Sequence, residues 1–359
     1  MAQTFISIGT GKGQLKLIQA AHERGFWVVG VDRERAEDCA PFLREQILLS
    51  TYQTEEVVKA VLKIKDNYDF IGVLARTSGP ALLTAAHVAD ALGIEGVSKT
   101  FGECSVSKSA LREDAASIGI STPKGFKTSE CVDPPFDLPW VVKPDAPLVG
   151  KKNVYAISNR SEYAEAFSAA SQESYNGLVE VEELIEGIDV GYMAVLSDGK
   201  VMFDLLYDEY VSFPNGRAEG IGVGGPSIFV GSNVETRIKD CSEHLLKKWT
   251  FTAGFAFFSF RVCDEGQVYL YEANPGLCGD NIADQLLPCI WPGFDPFETE
   301  VLAVGGKVLT VPGQPSGLHL VLGGATVSVD SEDDRLKALS NHPNGAALVD
   351  RFQILKDAN

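Results

Sequence analysis

The chain has 359 residues, of which 45% are apolar, enough to build the cores of two or three domains. It carries 31 Lys and Arg against 49 Asp and Glu, a net charge of −18. This acidic balance argues against nucleic acid or an anionic membrane as the main partner, so any anion must be bound by a local group of cations.

No apolar stretch approaches the length of a membrane span, and the first residues lack the pattern of a signal peptide. We therefore expect a cytoplasmic protein. The seven cysteines and five histidines show no metal-ligand spacing, so we expect neither zinc nor disulfides, and one reactive thiol stays open.

Short apolar runs alternate with helical patterns over the first hundred residues. FISIGTG and FWVVGVD have the character of strands, whereas QLKLIQAAHERG and TEEVVKAVLKIKDNY have that of helices. This alternation is typical of a parallel sheet with crossover helices, and it predicts a Rossmann-like first domain.

The glycine-rich stretch GTGKGQ follows the first predicted strand, as a dinucleotide site would. Gly9 and Gly11 fit the G-x-G-x-x-G pattern and Asp32 closes the next strand, but Gln14 stands where the pattern requires a small residue. We interpret the stretch as a tight strand-to-helix turn and keep a nicotinamide-dependent dehydrogenase as an alternative.

The pattern changes after residue 105. A predicted helix, SVSKSALREDAASIG, ends at Gly119, and the proline-rich linker CVDPPFDLP leads to the strand WVVKP. From about residue 198 the sequence predicts antiparallel strands joined by glycine turns. The expected fold class is therefore an α/β start followed by an α+β body.

Residues 106–152 hold seven basic and six acidic side chains, a local exception in an acidic chain. Lys143 ends an apolar strand directly before Pro144, and its compact charge suits phosphate oxygens. Downstream, Gly150 would let backbone N–H groups approach an anion, and the adjacent Lys151 and Lys152 would add charge. An ordinary charged hairpin tip is the alternative for this loop.

The stretch LYEANPG places a carboxylate and an amide at the end of a predicted strand. Glu272 and Asn274 are two apart and so project from one face. Next to a phosphate site, their oxygens would suit Mg²⁺ or Mn²⁺. In isolation, a turn in which Asn274 bonds its own backbone and Glu272 is solvated is the better explanation of the stretch.

Six segments, in order along the chain, resemble the ATP-grasp superfamily of carboxylate–amine ligases. They are SIGTGKGQLKLIQAAHERGFWVVGVD, VSKSALREDAASIGISTPKGF, WVVKP, VGKKNV, VEVEELIEGIDV and FAFFSFRVCDEGQVYLYEANPG. The resemblance implies a Rossmann-like pre-ATP-grasp domain over residues 1–105, followed by a two-lobed ATP-grasp fold with a lid over 106–184 and a C-terminal lobe over 185–359.

The resemblance also implies a role for each matching residue. The nucleotide positions are Lys108, Lys143, Lys151 and Lys152 at the phosphates, Glu182, Glu183 and Ile185 at the adenine, and Asp189 at the ribose. Arg261 matches the arginine that steadies the transferred phosphoryl group. The segment VGKKNV matches the loop that covers the phosphates, and within it Lys152 is preferred over Lys151 as the catalytic lysine. Glu272 and Asn274 match the metal ligands.

One position departs from the family. The aspartate expected as first metal ligand, 13 residues before Glu272, is Ser259 here. A hydroxyl cannot replace the charge of a carboxylate near Mg²⁺. Metal binding would then depend on Glu272, Asn274 and the triphosphate, or on another acid such as Asp264 or Asp280. Otherwise the protein binds nucleotide without turning it over.

The implied activity is an ATP-dependent ligase that joins a small carboxylate, an amino acid or sugar acid, to an amine through an acyl phosphate. ADP and phosphate would be released, and Mg²⁺ or Mn²⁺ would be required. The alternative is a nucleotide-binding protein with an impaired site and a regulatory or structural role. Arg76 and Ser78 are expected on the acceptor side. The stretch 216–227 has the glycine content of a substrate loop, and a flexible surface insertion explains it equally well. A homodimer is left open.

Overall fold

Three β-sheets organise the chain: a parallel sheet of four strands, an antiparallel sheet of four and an antiparallel sheet of seven. The computed structural model describes residues 2–148, 153–264, 266–277, 279 and 281–358. Lys151, Lys152 and Asp280, which the sequence singled out, lie outside the described residues. No helix among the described residues is long and apolar enough to cross a membrane.

The first sheet has the strand order β3-β2-β1-β4, and every pair in it is parallel. Its inner strand β1 is apolar and buried on both faces because helices cover both sides of the sheet. The Rossmann-like prediction is confirmed. The elements are β1 Gln3–Ile8, α1 Leu15–Glu23, β2 Trp27–Asp32, β3 Glu45–Leu48, α2 Thr54–Ile64, β4 Asp69–Leu74 and α3 Pro80–Leu92.

The glycine-rich turn after β1 is filled by its own side chains. The Gln14 amide donates to the carbonyl of Arg76 at 2.7 Å, and its carbon lies 3.1 Å from where a Cβ of Gly9 would stand. Asp32 accepts from the backbone N–H of Thr10 at 2.9 Å. Gln14 fills the space, and Thr10 occupies the carboxylate, that a bound dinucleotide would need. The structure therefore favours the tight strand-to-helix turn over a dinucleotide site.

The helix predicted before Gly119 is two helices, α4 Lys99–Val106 and α5 Lys108–Ala116. The chain is extended at Ser107, where φ is −108° and ψ is 117°, and the Ser107 hydroxyl accepts from the N–H of Ala110. The predicted single helix is wrong because a serine caps a new helix at this point. As a result Lys108 is the first residue of α5.

The second sheet, order β5-β8-β6-β7, forms a small lobe with one helix on its apolar face. Trp140, Val142 and Val181 pack against that helix, whereas Lys143, Glu180 and Glu182 project from the opposite face. The elements are β5 Gly125–Thr128, β6 Trp140–Pro144, β7 Tyr155–Ile157, α6 Tyr163–Glu173 and β8 Val179–Glu183.

The third sheet has the order β13-β12-β9-β10-β11-β14-β15 and separates two cores. One face packs against α4, α5, α7, α10 and α11, and the other packs against α1, α8 and α9, which join it to the first domain. Its strands are β9 Ile188–Ser197, β10 Lys200–Ser212, β11 Glu219–Gly225, β12 Gly254–Val262, β13 Val268–Pro275, β14 His319–Leu322 and β15 Ala325–Val327. Its helices are α7 Asn233–Lys248, α8 Leu287–Ile290, α9 Pro296–Val304, α10 Glu332–Ser340 and α11 Ala346–Ala358.

Candidate functional site

A cavity of about 130 Å³ lies between the small lobe and the seven-stranded sheet. Apolar side chains from both lobes line much of it, among them Val141, Leu184 and Phe213. Charged side chains from both lobes line it as well. A largely apolar cleft with a few charged groups is the usual form of a small-molecule site.

Residues from four distant segments meet in this cavity. The predicted site residues that line it are Lys108, Lys143, Glu182, Glu183, Ile185, Asp189, Arg261 and Glu272. Asn274 projects from the same face of β13 as Glu272, one step along the pairing with β12. It is not among the described residues that line the cavity.

Two lysines form the cationic end of the cavity. The Lys108 Nζ lies 3.0 Å from Oε1 of Glu272, and the Lys143 Nζ lies 2.6 Å from Oε2 of Glu182. Burial lowers the pKa of Lys143, and the nearby Lys108 ammonium acts in the same direction. Both ammonium groups are thus held next to carboxylates that an incoming anion could displace.

The carboxylate of Asp145 fixes the two lysines relative to each other. Asp145 follows Lys143 by two residues, is 1% exposed, and accepts from the N–H of Ser109 at 3.0 Å and from Asn176 at 2.8 Å. Its carbonyl accepts from the N–H of Lys108 at 3.1 Å. A carboxylate at the N-terminus of α5 is favourable, so it ties the end of β6 to the start of that helix.

Arg261 lies at the other end, beside the segment that joins the lobes. Its Nε and Nη2 donate to the two carboxylate oxygens of Asp189 at 2.5 and 3.0 Å, and its Nη1 donates to the carbonyl of Ile185 at 2.9 Å. Burial disfavours the charged guanidinium, but Asp189 outweighs this and raises the pKa of Arg261. Arg261 is therefore held with the residues predicted to face the nucleoside, not with the two lysines.

Gly187 makes this arrangement possible in the backbone. Its φ is +159°, and a Cβ there would stand 2.2 Å from the carbonyl oxygen of Val262. Only glycine permits the connecting segment to approach β12 so closely.

A β-bulge at Tyr271 changes which side chains reach the cavity. Ser259 pairs with Glu272, but Phe260 pairs with Leu270, so Tyr271 is the extra residue. Tyr271 and Glu272 both line the cavity as a result. Strict alternation from the sequence did not predict Tyr271 there. Burial raises its pKa well above the ordinary value.

Ser259 occupies the position directly across from Glu272. Its hydroxyl donates to Oε1 of Glu209 at 2.8 Å, and Glu209 is 6% exposed on β10. Sequence reasoning missed Glu209, because only the pairing of β10 with β9 and of β9 with β12 brings it near. Alternation along YDEYV gives the face of its strand and nothing about its neighbours.

No group of three or more His, Cys, Asp or Glu side chains among the described residues could hold a metal ion. Glu272 offers the carboxylate oxygens that a hard cation prefers, and a cation would have to take the place of the Lys108 ammonium, which lies 3.0 Å from Oε1. Mg²⁺ commonly takes one or two carboxylates and completes its shell with water and phosphate oxygens. Asp264, a predicted substitute, lies in the turn after β12 and is not among the described residues that line the cavity.

The stretch predicted as a glycine-rich substrate loop is mostly the strand β11, so that prediction is wrong for residues 219–225. A Cβ at Gly222 would stand 2.3 Å from the carbonyl of Val321, which explains a glycine in this paired strand. Ala218 donates its N–H to the carbonyl of Val154 at 2.9 Å and so joins the small lobe to the large sheet beside the cavity.

Arg76 lies at the end of β4, on the first domain. Its guanidinium donates to the carbonyl of Gly13 at 3.0 Å and pairs with Asp284. The ammonium of Lys16 also binds Asp284, and the two cations lower the pKa of that carboxyl against the effect of burial. The acceptor role of Arg76 and Ser78 stays a prediction.

No model of a protein family matches the sequence, and no curated protein matches it. Solved structures do resemble the fold. An L-amino acid ligase from Bacillus licheniformis has a TM-score of 0.70 at 17% identity, with 89% of this chain and 79% of that chain covered. Phosphoribosylglycinamide synthetase from Anaerococcus prevotii has 0.66 at 18%, covering 89% and 80%.

N5-carboxyaminoimidazole synthetase from Staphylococcus aureus, solved with ADP, has a TM-score of 0.70 at 16% identity, with 89% of this chain and 82% of that chain covered. At these identities the likeness shows the fold. The chain shares the ATP-grasp fold with these structures, as the ordered segments of its sequence predicted.

Proposed function

We propose that the protein is an ATP-dependent ligase that joins a small carboxylate, an amino acid or sugar acid, to an amine. The observation that supports this best is the meeting of Lys108, Lys143 and Glu272 in one cavity of an ATP-grasp fold. The structures with the same fold include an amino acid ligase and a synthetase solved with ADP.

In this proposal the nucleotide spans the cavity from the segment between the lobes to the two lysines. The adenine lies among Glu182, Glu183 and Ile185. The ribose lies at Asp189, whose carboxylate releases Arg261 and accepts from the ribose hydroxyls instead. The phosphates take the place of Glu182 and Glu272 as partners of the lysine ammonium groups. Charge-assisted hydrogen bonds of this kind are about twice as strong as neutral ones.

The reaction begins when an oxygen of the substrate carboxylate attacks the γ-phosphorus of ATP. The bond from that phosphorus to the β-phosphate oxygen breaks, giving ADP and an acyl phosphate. The amine then attacks the carbonyl carbon, the C–N bond forms, and phosphate leaves. Lys108 and Lys143 hold the phosphates in line and offset their charge, which is the main demand of phosphoryl transfer.

Lys152 would support the transferred group, with Lys151 as the alternative. For Arg261 to do the same it must leave Asp189, which holds it beside the nucleoside residues in this structure. Glu272 and Asn274 would hold Mg²⁺ or Mn²⁺. When bound, that ion would supply positive charge against the phosphate oxygens.

An ADP-release assay tests the proposal. The wild type is incubated with ATP, Mg²⁺, and pooled amino acids or sugar acids, with and without amine acceptors. We expect ADP release that depends on both acceptors and that Lys143→Ala abolishes. Lys59→Ala, which removes a lysine that is 69% exposed on α2, is the control and should release ADP at the wild-type rate.

A second candidate function is nucleotide binding without turnover, and Ser259 in place of an acid favours it. ATP binding that needs Lys143, without ADP release from any pool, would support this candidate over the ligase.

A further inference from the structure

Strand order, not the sequence pattern, brings a carboxylate close to this cavity. Glu209 lines a neighbouring hollow that shares Asp189 and Arg261 with the cavity. Ser259 on β12 pairs directly with Glu272 on β13, so their Cβ atoms are roughly 5 Å apart. On its other side the Ser259 hydroxyl donates to Oε1 of Glu209 at 2.8 Å. An acid at position 259 would therefore extend its carboxylate to nearly the place that Glu209 occupies.

Glu209 reaches this place across an entire strand. It pairs with Asp189 on β9, whereas Ser259 pairs with Gly191, two residues further along the same strand. Gly191 has no side chain to stand between them. A Cβ there would stand 2.1 Å from the ring of Tyr207, which packs over this glycine, so glycine is required at this position.

The charges at the site leave room for a second carboxylate. Glu272 is already balanced by the ammonium of Lys108, 3.0 Å away. When the Lys108 ammonium pairs with a phosphate instead, Glu272 offers a single negative charge to a divalent cation. Protein sites for Mg²⁺ commonly use one or two carboxylates together with phosphate oxygens.

We propose that Glu209, reaching across β9, supplies to the divalent cation of this cavity the carboxylate that position 259 lacks. Ser259 then acts as a positioning residue that orients Glu209 toward Glu272. The proposal rests on the proposed nucleotide site and names a residue that the resemblance did not assign. It also accounts for the serine without loss of activity, because the charge has moved from β12 to β10.

A purely structural role for Glu209 makes a different prediction. As an acceptor for the Ser259 hydroxyl alone, Glu209 could be replaced by glutamine, which keeps an acceptor oxygen, with no effect on metal binding. As a metal ligand, the same replacement removes the charge that attracts the cation. Glu209→Gln therefore separates the two roles while preserving the hydrogen bond that the fold contains.

The experiment measures Mn²⁺ binding to the protein in the presence of ADP by electron paramagnetic resonance of the free ion. Calorimetry measures ADP binding in parallel, with Mn²⁺ and with EDTA. The variants are Glu209→Gln, the double variant Glu209→Gln with Ser259→Asp, and the control Glu55→Gln, which removes a carboxylate that is 83% exposed on α2. Thermal unfolding of each variant checks that it is folded.

We expect Glu209→Gln to weaken Mn²⁺ binding by about 10-fold or more, as loss of a group that supports a metal site typically does. The double variant should return to within about 3-fold of the wild type, because Ser259→Asp puts a carboxylate back in the same place. Glu55→Gln should bind Mn²⁺ as the wild type does.

Wild-type Mn²⁺ affinity in Glu209→Gln would overturn the proposal. A folded double variant whose Mn²⁺ affinity stays as low as that of Glu209→Gln would also overturn it, since a carboxylate at position 259 would then not replace that of Glu209. A wild type that does not bind ADP with Mn²⁺ or with EDTA would instead reject the nucleotide site itself. If the wild type binds ADP but Glu209→Gln keeps the wild-type Mn²⁺ affinity, only the role of Glu209 is rejected and the nucleotide site stands.

Discussion

Lys143 is a buried cation whose partners determine when it can hold an anion. Burial lowers its pKa, while the hydrogen-bonded Glu182 and the nearby Glu272 oppose the shift. A lysine with a lowered pKa loses its proton at a lower pH than a lysine in water. Its capacity to bind phosphate should therefore be lost at a lower pH than for an exposed lysine.

This predicts a pH dependence of ADP affinity. Protonated Lys143 binds the phosphates, so affinity should fall as pH rises through the lowered pKa of Lys143. Lys143→Arg keeps its charge over this range, and its affinity should not fall. Below the pKa of Lys143, Lys143→Ala should bind ADP about 10- to 100-fold more weakly than the wild type, the value of a charged hydrogen bond, and the difference should shrink as the pH rises. Calorimetry from pH 7 to 10 checks all three, and parallel curves for wild type and Lys143→Arg would contradict the assignment.

Glu300 on α9 is a second buried charge, distant from the lysines. It is 4% exposed and accepts from the N–H of Phe255 at 2.8 Å. Burial raises its pKa to about 7, and the single N–H opposes this only partly. The folded protein thus binds a proton that the unfolded chain, with an ordinary glutamate, releases between about pH 4.5 and pH 7.

Stability should therefore fall as pH rises across this window and level off above it. By linkage the contribution of Glu300 amounts to about 3 kcal/mol, fully present below the unfolded pKa and lost above the folded one. Glu300→Gln keeps the acceptor for Phe255 and should remove this slope, leaving the variant more stable than the wild type at pH 8. Urea unfolding of both proteins at pH 5 and pH 8 measures the difference. An equal change in unfolding free energy between the two pH values in both proteins would show that Glu300 does not bind the proton.

At the scale of elements, strand pairing decides the function of the side chains. β13 carries a bulge that directs Tyr271 into the cavity beside Glu272, and β9 carries a glycine over which the ring of Tyr207 packs. α5 begins at Lys108 because Ser107 interrupts the preceding helix and caps the new one, and Asp145 accepts from the N–H of Ser109 in its first turn.

A buried ion pair attaches α10 to the large sheet. Asp208 on β10 and Arg335 on α10 are 0% and 1% exposed, and their side chains meet at 2.8 Å. Asp208 also accepts from the Ser227 hydroxyl at 2.5 Å and from the N–H of Ile228 at 3.3 Å. The pair is surrounded by the core that α10 and α11 share with the sheet.

Arg335→Met should destabilise the protein by about 3 to 5 kcal/mol, because it leaves Asp208 as an uncompensated buried charge. The double variant with Asp208→Asn should recover a large part of this loss, since no buried charge remains. Denaturant unfolding at pH 7.5 measures both. A double variant that is as unstable as Arg335→Met would show that packing, and not the charge of Asp208, sets the cost.

At the scale of the whole molecule, the cavity belongs to neither lobe alone. β6 and β8 form one wall, and β10, β12 and β13 form the other. The two walls are joined by the segment around Gly187 and by the contact of Ala218 with Val154. A ligand that fills the cavity therefore touches both lobes and should stabilise them together.

Amide hydrogen exchange tests this coupling. With ADP and Mg²⁺ at about 100 times Kd, a bound ligand adds about 2.7 kcal/mol to global stability. Peptides from β8 of the small lobe and β12 of the large sheet should both exchange more slowly, and at the same ligand concentration both should be protected less in Lys143→Ala, because that variant binds ADP more weakly. Protection confined to one lobe would place the ligand outside the cavity between them.

The sequence by itself determined the parallel first domain, the strand WVVKP and the residues that the ATP-grasp resemblance assigns to the cavity. These follow from local periodicity and from short ordered segments, which are properties of neighbouring residues. Only the tertiary structure decided that Arg261 pairs with Asp189, that Tyr271 bulges into the cavity and that Glu209 stands behind Ser259. Those contacts depend on strand order and register, which leave no mark in the local pattern; the two hydrogen-bonded pairs join residues 50 and 72 positions apart.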